Sequence, residues 1–153
     1  AYSQKIDFEI DKLPFDNETF DFITLTSLIE HINNPKLILG EINRILKKDG
    51  LVIITTPNFR YCYKIFYDDP THVKPYTKKA IERLLHMNEF TVIKTLPFLV
   101  NKSDLFWRLP YPFKIASMLP FKNHQFKNNF LIPNFLKGKS TAMTIVAKKK
   151  NKI

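Results

Sequence analysis

The chain has 153 residues, long enough for one domain with a sizeable core, and its 44% apolar and 14% aromatic content excludes a disordered composition. With 24 basic and 14 acidic residues it carries a formal charge of +10, which favours anionic partners through association without dictating a fold. The single cysteine, Cys62, excludes an intrachain disulfide framework and a cysteine zinc cluster. No run of roughly 18 apolar residues is present and the opening "AYSQKIDFEIDK" is polar, so the expectation is a cytoplasmic protein without a signal peptide. The charge leaves room for peripheral contact with an anionic membrane.

In chain order, "KIDFEI" alternates like a short strand, and "DKLPFDNETF" follows as a turn-rich connection. Phe20 to Thr26, "FDFITLT", is aromatic and β-branched and predicts a strand covered on both faces. "NNPKLILGEINRILKKDG" predicts a helix. Asn33 or Asn34 can cap it, Pro35 suits its first turn, and Leu37, Ile38, Ile42, Ile45 and Leu46 make its apolar face. Lys47 and Lys48 would sit at its carboxyl end and Gly50 would take the left-handed stop, while Gly40 would mark close packing against a neighbouring backbone.

Leu51 to Thr56, "LVIITT", reads as a central strand of a parallel sheet, which makes Phe20 to Thr56 a βαβ unit. The aromatic stretch "PNFRYCYKIFYDDPTHVKPY" is a long connection or a broken helix. Thr77 can cap a second helix, "TKKAIERLLHM", with Ala80, Ile81, Leu84 and Leu85 on one face, and "FTVIKTL" returns as a strand. Residues 102–140 interleave aromatics, lysines and prolines that forbid one long helix, and "TAMTIVAKK" closes as a strand.

Ligands of open α/β sheets bind beyond the carboxyl ends of the parallel strands. Three such ends are Thr26 to His31, Pro57 to Arg60 and the loop Asp68 to Tyr76. They should converge on one rim, so Glu30, His31, Asn58 and His72 are expected to share a pocket. Asn58 equally suits capping of the next element, and Glu30 and His31 equally suit a solvated and a packing role. His72 is the best general base, since histidine exchanges protons near neutrality, although fixing its loop through Asp69 is the plainer role. Asp68, Asp69 and His72 have no recognised metal spacing, and no metal is expected. Cys62 lacks a base partner for nucleophilic work. The only glycines are Gly40, Gly50 and Gly138, so the chain holds no Gly-rich phosphate loop.

"LPFDNETFDFITLTSLIEHINNPKLILGEINRILKKDGLVIITTPN" and "DPTHVKPYTKKAIERLLHMNEFTVI" closely resemble small class I methyltransferases that use S-adenosylmethionine. The resemblance implies an α/β, Rossmann-like methyltransferase sheet, seven-stranded in the order 3-2-1-4-5-7-6 between helical layers, a three-layer sandwich with an antiparallel last strand. Lys5 to Glu9 would lie near the third strand, Phe20 to Thr26 would be the fourth and Leu51 to Thr56 the fifth. Phe90 to Leu96 would be the sixth and Thr141 to Lys148 the seventh. It also places Thr26, Ser27 and Glu30 along the amino-acid part of S-adenosylmethionine and His31 near its methyl group, with Asn58, His72 and Tyr76 on the acceptor side. His72 or His31 would accept a proton from a hydroxyl acceptor. Similar sequences with "DPTH" point to a saccharide or lipid-linked small-molecule acceptor, covered by residues 102–140.

The resemblance also has a gap. The family's first strand, its Gly-rich cofactor loop and the acidic residue for the ribose would all precede Lys5, and Asp7 and Asp11 do not match the spacing of the adenine-side acid. The expectation is therefore that 1–153 is the C-terminal portion of such a domain, a partial sandwich with about half of the cofactor pocket. Phe20 to Thr26 would then present an open edge for a missing N-terminal segment or for another copy of the chain. A noncatalytic remnant or assembly subunit is the competing expectation. Nucleic acid is not expected as a partner, because only net charge points to it.

Overall fold

The computed structural model describes residues 6–8, 12–98 and 141–150. The proposed acceptor cover at 102–140 lies outside them, as does most of the segment expected near the third strand. Its described part, residues 6–8, carries no strand.

A four-stranded mixed sheet organises the chain, in the order β1 (Phe20–Thr26), β2 (Leu46–Pro57), β4 (Ala142–Lys149), β3 (Phe90–Phe98). β1 and β2 are parallel, with Ile23 opposite Val52 and Leu25 opposite Ile54. β4 runs antiparallel to both β2 and β3. This is the expected order of the fourth, fifth, seventh and sixth strands. Among the described residues, three α-helices, α1 (Pro35–Ile45), the single-turn α2 (Phe59–Cys62) and α3 (Lys78–Met87), occupy the connections.

Alternation along the strands puts Leu25, Val52, Ile54, Ile145, Ala147 and Met143 on one buried face. Ile38, Leu39 and Ile42 of α1 and Ile81 and Leu85 of α3 complete that core. Each of the two helices thus buries a stripe at the 3.6-residue spacing that its sequence shows. The opposite face of β1 is open among the described residues: Phe22 is 65% exposed, so the strand is not covered on both faces as expected.

Several local expectations change. Helix α1 ends at Ile45, and Lys47 and Lys48 belong to β2, which begins five residues earlier than the apolar run suggests. The left-handed position falls on Asp49, at φ 63°, and not on Gly50. Gly50 instead solves a close approach, since a Cβ there would lie 2.9 Å from the Lys47 carbonyl oxygen and 3.3 Å from that of Asp21. Around Gly40 a Cβ would meet nothing within 4 Å, so close packing does not explain it. Leu37 points to solvent, and Asn34 holds the N-cap position without a side-chain capping bond. Thr77 does cap α3, its hydroxyl accepting from the Ala80 amide at 3.3 Å, but Ala80 itself is exposed.

The amino end of the β1–β2 pair is clamped. The Arg44 guanidinium donates to both carboxylate oxygens of Glu41, at 3.0 and 2.7 Å. It also donates to the Leu13 and Phe15 carbonyls and to Asn17 Oδ1. Nearby, Lys47 pairs with Asp21 at 2.9 Å and Lys148 with Asp49 at 3.0 Å.

Candidate functional site

The carboxyl ends of β1 and β2 form the opposite rim. β1 stops at Thr26, and Ser27 turns the chain in the left-handed region, at φ 48°, while its amide still donates to the Thr55 carbonyl. A non-glycine residue there carries backbone strain, a feature that concentrates at functional sites. The chain then makes a single 3-10 turn, Ile29–His31. Ile29 anchors that turn in the core, which forces its neighbour Glu30 inward as well: Glu30 is 1% exposed.

Burying a carboxylate is costly unless its oxygens find donors. Oε2 of Glu30 accepts from the Thr56 hydroxyl at 2.9 Å, and Thr56 is itself buried at the end of β2. Oε1 is buried with no hydrogen-bond partner among the described residues. The Glu30 carbonyl accepts from the amides of Val73 and Lys74, at 2.9 and 3.0 Å. Those two bonds bring the loop after β2 onto the turn after β1, and with it His72 onto His31. Their ring centroids lie 4.7 Å apart.

Both imidazoles are oriented through Nδ1. His31 Nδ1 donates to the Thr71 carbonyl at 3.0 Å and shares that hydrogen with the Thr71 hydroxyl at 2.9 Å. That hydroxyl in turn donates to Asp69 Oδ1, and with the Thr71 amide it holds the Asp69 carboxyl below its usual range. His72 Nδ1 donates to the Phe66 carbonyl at 2.6 Å, and its ring stacks on the Phe66 ring. A carbonyl oxygen only accepts, so Nδ1 carries a proton in each ring, and in the neutral ring Nε2 is the nitrogen with the lone pair. One ligand atom from each of Glu30, His31 and His72 lies within 4.8 Å of the other two.

The remaining expected site residues divide. Thr26 and Ser27 are exposed at the rim, where a ligand can reach them. Asn58 caps α2, its side chain accepting from the Arg60 amide at 3.3 Å, which is the plainer of its two expected roles. Tyr76 is buried, with its hydroxyl lacking a partner among the described residues, and burial pushes its phenol up to about 12 while the Glu30 carboxylate adds repulsion. Burial likewise pushes the Cys62 thiol up to about 11, which suits an inert core thiol. Asp69 does approach His72, at 3.8 Å from Nε2, but the Phe66 carbonyl and ring are what fix the histidine.

Sequence reading missed Thr56, Thr71 and the Phe66 carbonyl, the three groups that orient Glu30, His31 and His72. Only Thr71 left a trace, in the "DPT" turn chemistry. Tyr63 and Tyr67 are exposed, and Tyr67 packs edge-on against Phe59 and against Phe66, the ring on which His72 stacks. The rim thus joins exposed hydroxyls, an unpartnered buried carboxylate oxygen, two imidazole lone pairs and an aromatic surface. Such a set can bind a cationic or hydroxylated ligand and take a proton from it.

Residues 1–95 match the family described as the methyltransferase domain. An uncharacterised protein of Methanocaldococcus jannaschii is 31% identical over 145 residues, 88% of this chain and 61% of that protein. A ubiquinone biosynthesis O-methyltransferase of Glaesserella parasuis is 44% identical over 43 residues, 28% of this chain and 18% of that enzyme. Among solved structures, a SAM-dependent methyltransferase from Archaeoglobus fulgidus superposes with a TM-score of 0.57 at 20% identity, over 88% of this chain and 62% of that one. The chain therefore spans about three fifths or less of the length of these relatives.

Proposed function

Because the chain belongs to the methyltransferase-domain family, we propose that it forms the acceptor-side half of a site that methylates a hydroxyl of a small molecule from S-adenosylmethionine. The observation that carries this reading is the convergence of Glu30, His31 and His72 at the carboxyl rim of β1 and β2, next to Thr26 and Ser27. The residues fit one side of the cofactor. Thr26 and Ser27 offer exposed hydroxyls where the strand ends, and Oε1 of Glu30, buried and without a partner among the described residues, is an acceptor for a cationic group. When bound, S-adenosylmethionine supplies a sulfonium-activated methyl group.

This chain's own groups then orient the acceptor and handle its proton. The exposed ring of Tyr67, packed on Phe66 beside His72, suits a sugar ring or an apolar lipid-linked acceptor. His72, held by Phe66 with its Nε2 lone pair available, accepts the hydroxyl proton, and His31 stands next to it as the alternative acceptor. Positioning supplies much of the remaining rate.

The test is calorimetric titration with S-adenosylmethionine, followed by turnover on hydroxylated acceptors, of the protein as its gene encodes it. Saturable binding that survives His72→Ala, with turnover falling by about 100-fold, is the expected result. Unchanged turnover and an unchanged pH profile in His72→Ala would remove the base role. A folded sample that never binds the cofactor would remove methyl transfer altogether.

A second reading, assembly without catalysis, has its own observation. Among the described residues β1 pairs with β2 alone, and Phe22 lies bare beside its open edge. A concentration-dependent dimer that Phe22→Lys dissolves is the result that would favour it.

A further inference from the structure

We propose that Glu30, His31 and His72 form a binding site for one divalent first-row transition metal ion, of the manganese, iron, cobalt or zinc type. Two imidazoles and one carboxylate on one side of an ion, with the other positions open, is a donor set that suits these metals better than magnesium or calcium. One donor atom of each residue already lies within 4.8 Å of the other two. Donors around an ion at about 2.0–2.2 Å stand roughly 3 Å apart, so small side-chain rotations close the site.

The groups behind the three residues carry the argument further than their proximity. Metal-bound histidines nearly always donate their second ring N–H to a carbonyl or carboxylate, which fixes the tautomer and the ring direction. Here His31 Nδ1 does so to Thr71 and His72 Nδ1 to Phe66, leaving Nε2 as the free donor on both rings. Glu30 is anchored in the same manner, with Oε2 held by Thr56. Its other oxygen, Oε1, is buried and unpartnered among the described residues, an arrangement that costs free energy unless a cation or donor meets it. Three ligands thus each have one atom tied back to the scaffold and one atom unspent. Asp69, with Oδ2 3.8 Å from His72 Nε2, adds negative charge at the edge of the cluster.

Binding of the ion stands apart from the methyl-transfer reading; only its use rests on that reading. With the ion in place both imidazoles would be ligands, so the proton-accepting role proposed above for His72 would belong to the metal-free chain alone. An acceptor hydroxyl that takes an open coordination position becomes more acidic and releases its proton to solvent.

The experiment is a titration of the chain, without S-adenosylmethionine, with cobalt(II) followed by visible absorption and with manganese(II) and zinc(II) followed by calorimetry. One saturable equivalent is expected, with the d–d bands of a mixed nitrogen and oxygen set. His31→Ala, His72→Ala and Glu30→Gln should each weaken it by at least about 10-fold. His86→Ala, on the exposed side of α3, should leave it unchanged. Far-UV circular dichroism of each variant separates ligand loss from unfolding, and the near-isosteric Glu30→Gln provides a second variant should a histidine replacement fail to fold. Absence of saturable binding in the folded chain, or binding that persists in both histidine variants, overturns the proposal. Because no methyl donor is present, failure here leaves the methyl-transfer reading to be judged by its own assay.

Discussion

At the amino end of β1 and β2, Arg44 donates to five acceptors, Glu41 spends both oxygens, and Lys47 and Lys148 each hold a carboxylate. At the carboxyl end of the same two strands, Glu30 keeps one buried oxygen unpartnered among the described residues, and the neutral rings of His31 and His72 would each keep an Nε2 lone pair. Both ends are polar and both are tied to the scaffold, yet only the first is saturated. Saturation is what a structural network needs, because an unmet buried group costs stability. The unsaturated end carries that cost, which is the physical ground for the proposal that a ligand completes the bonding there.

Four measurements would break or sharpen this contrast. Arg44→Ala strikes the saturated end and should lower stability by about 2 kcal/mol in urea unfolding while leaving cation binding at the rim intact. Its signature is also in pH. The Arg44 hydrogen bond is the main reason the Glu41 carboxyl sits below its ordinary 4.5, against the opposing effect of burial. The folded value is the depressed one, so the clamp's contribution is complete above the ordinary value and is lost as pH falls through the folded value. Unfolding midpoints followed down the acid range should fall less steeply in Arg44→Ala than in the parent chain. An equally steep fall would show that the clamp is not what titrates.

Gly50→Ala tests the same end by packing rather than charge. Its new methyl group would meet backbone oxygens of Lys47 and Asp21, and a loss of roughly 1–2 kcal/mol is expected, again without effect on the rim. Glu30→Gln tests the unsaturated end and should move stability the other way. Replacing a buried, half-partnered carboxylate by an amide should raise the thermal midpoint, by about 1 kcal/mol in free energy, while cation affinity falls. A clear loss of stability would instead make Glu30 a structural residue. Smallest is Gly40→Ala, on the exposed side of α1 where a Cβ meets nothing, which should stabilise by about 0.5–1 kcal/mol and so calibrate the others.

How legible these features were in the sequence depends on the range of the interactions behind them. The four strands from Phe20 onward, both long helices, the Thr77 cap and the βαβ order follow from local periodicity and capping chemistry and are present, whereas "KIDFEI" carries no strand over its described residues 6–8. The end of α1 was misread because Lys47, Lys48 and Gly50 look like helix-stop chemistry, whereas pairing of Phe20 with Leu46 and of Lys47 with Asp21 draws those residues into β2. Tertiary contacts there override local preference. The sharing of one rim by Glu30, His31 and His72 was readable from the rule that parallel strands gather ligands at their carboxyl ends. What held them was not, because a carbonyl such as that of Phe66 has no residue type to read.

The order β1-β2-β4-β3 has a consequence for how the chain acquires its shape. β4, the last of the described strands in chain order, lies between β2 and β3, so β3 lacks its described neighbour until Ala142–Lys149 has left the ribosome. Every stage before that presents the Val52 and Ile54 strand with one edge unzipped, over a delay set by the synthesis of residues 99–141. On nascent chains, protection of β2 and β3 from proteolysis should therefore arrive in one step as β4 inserts between them.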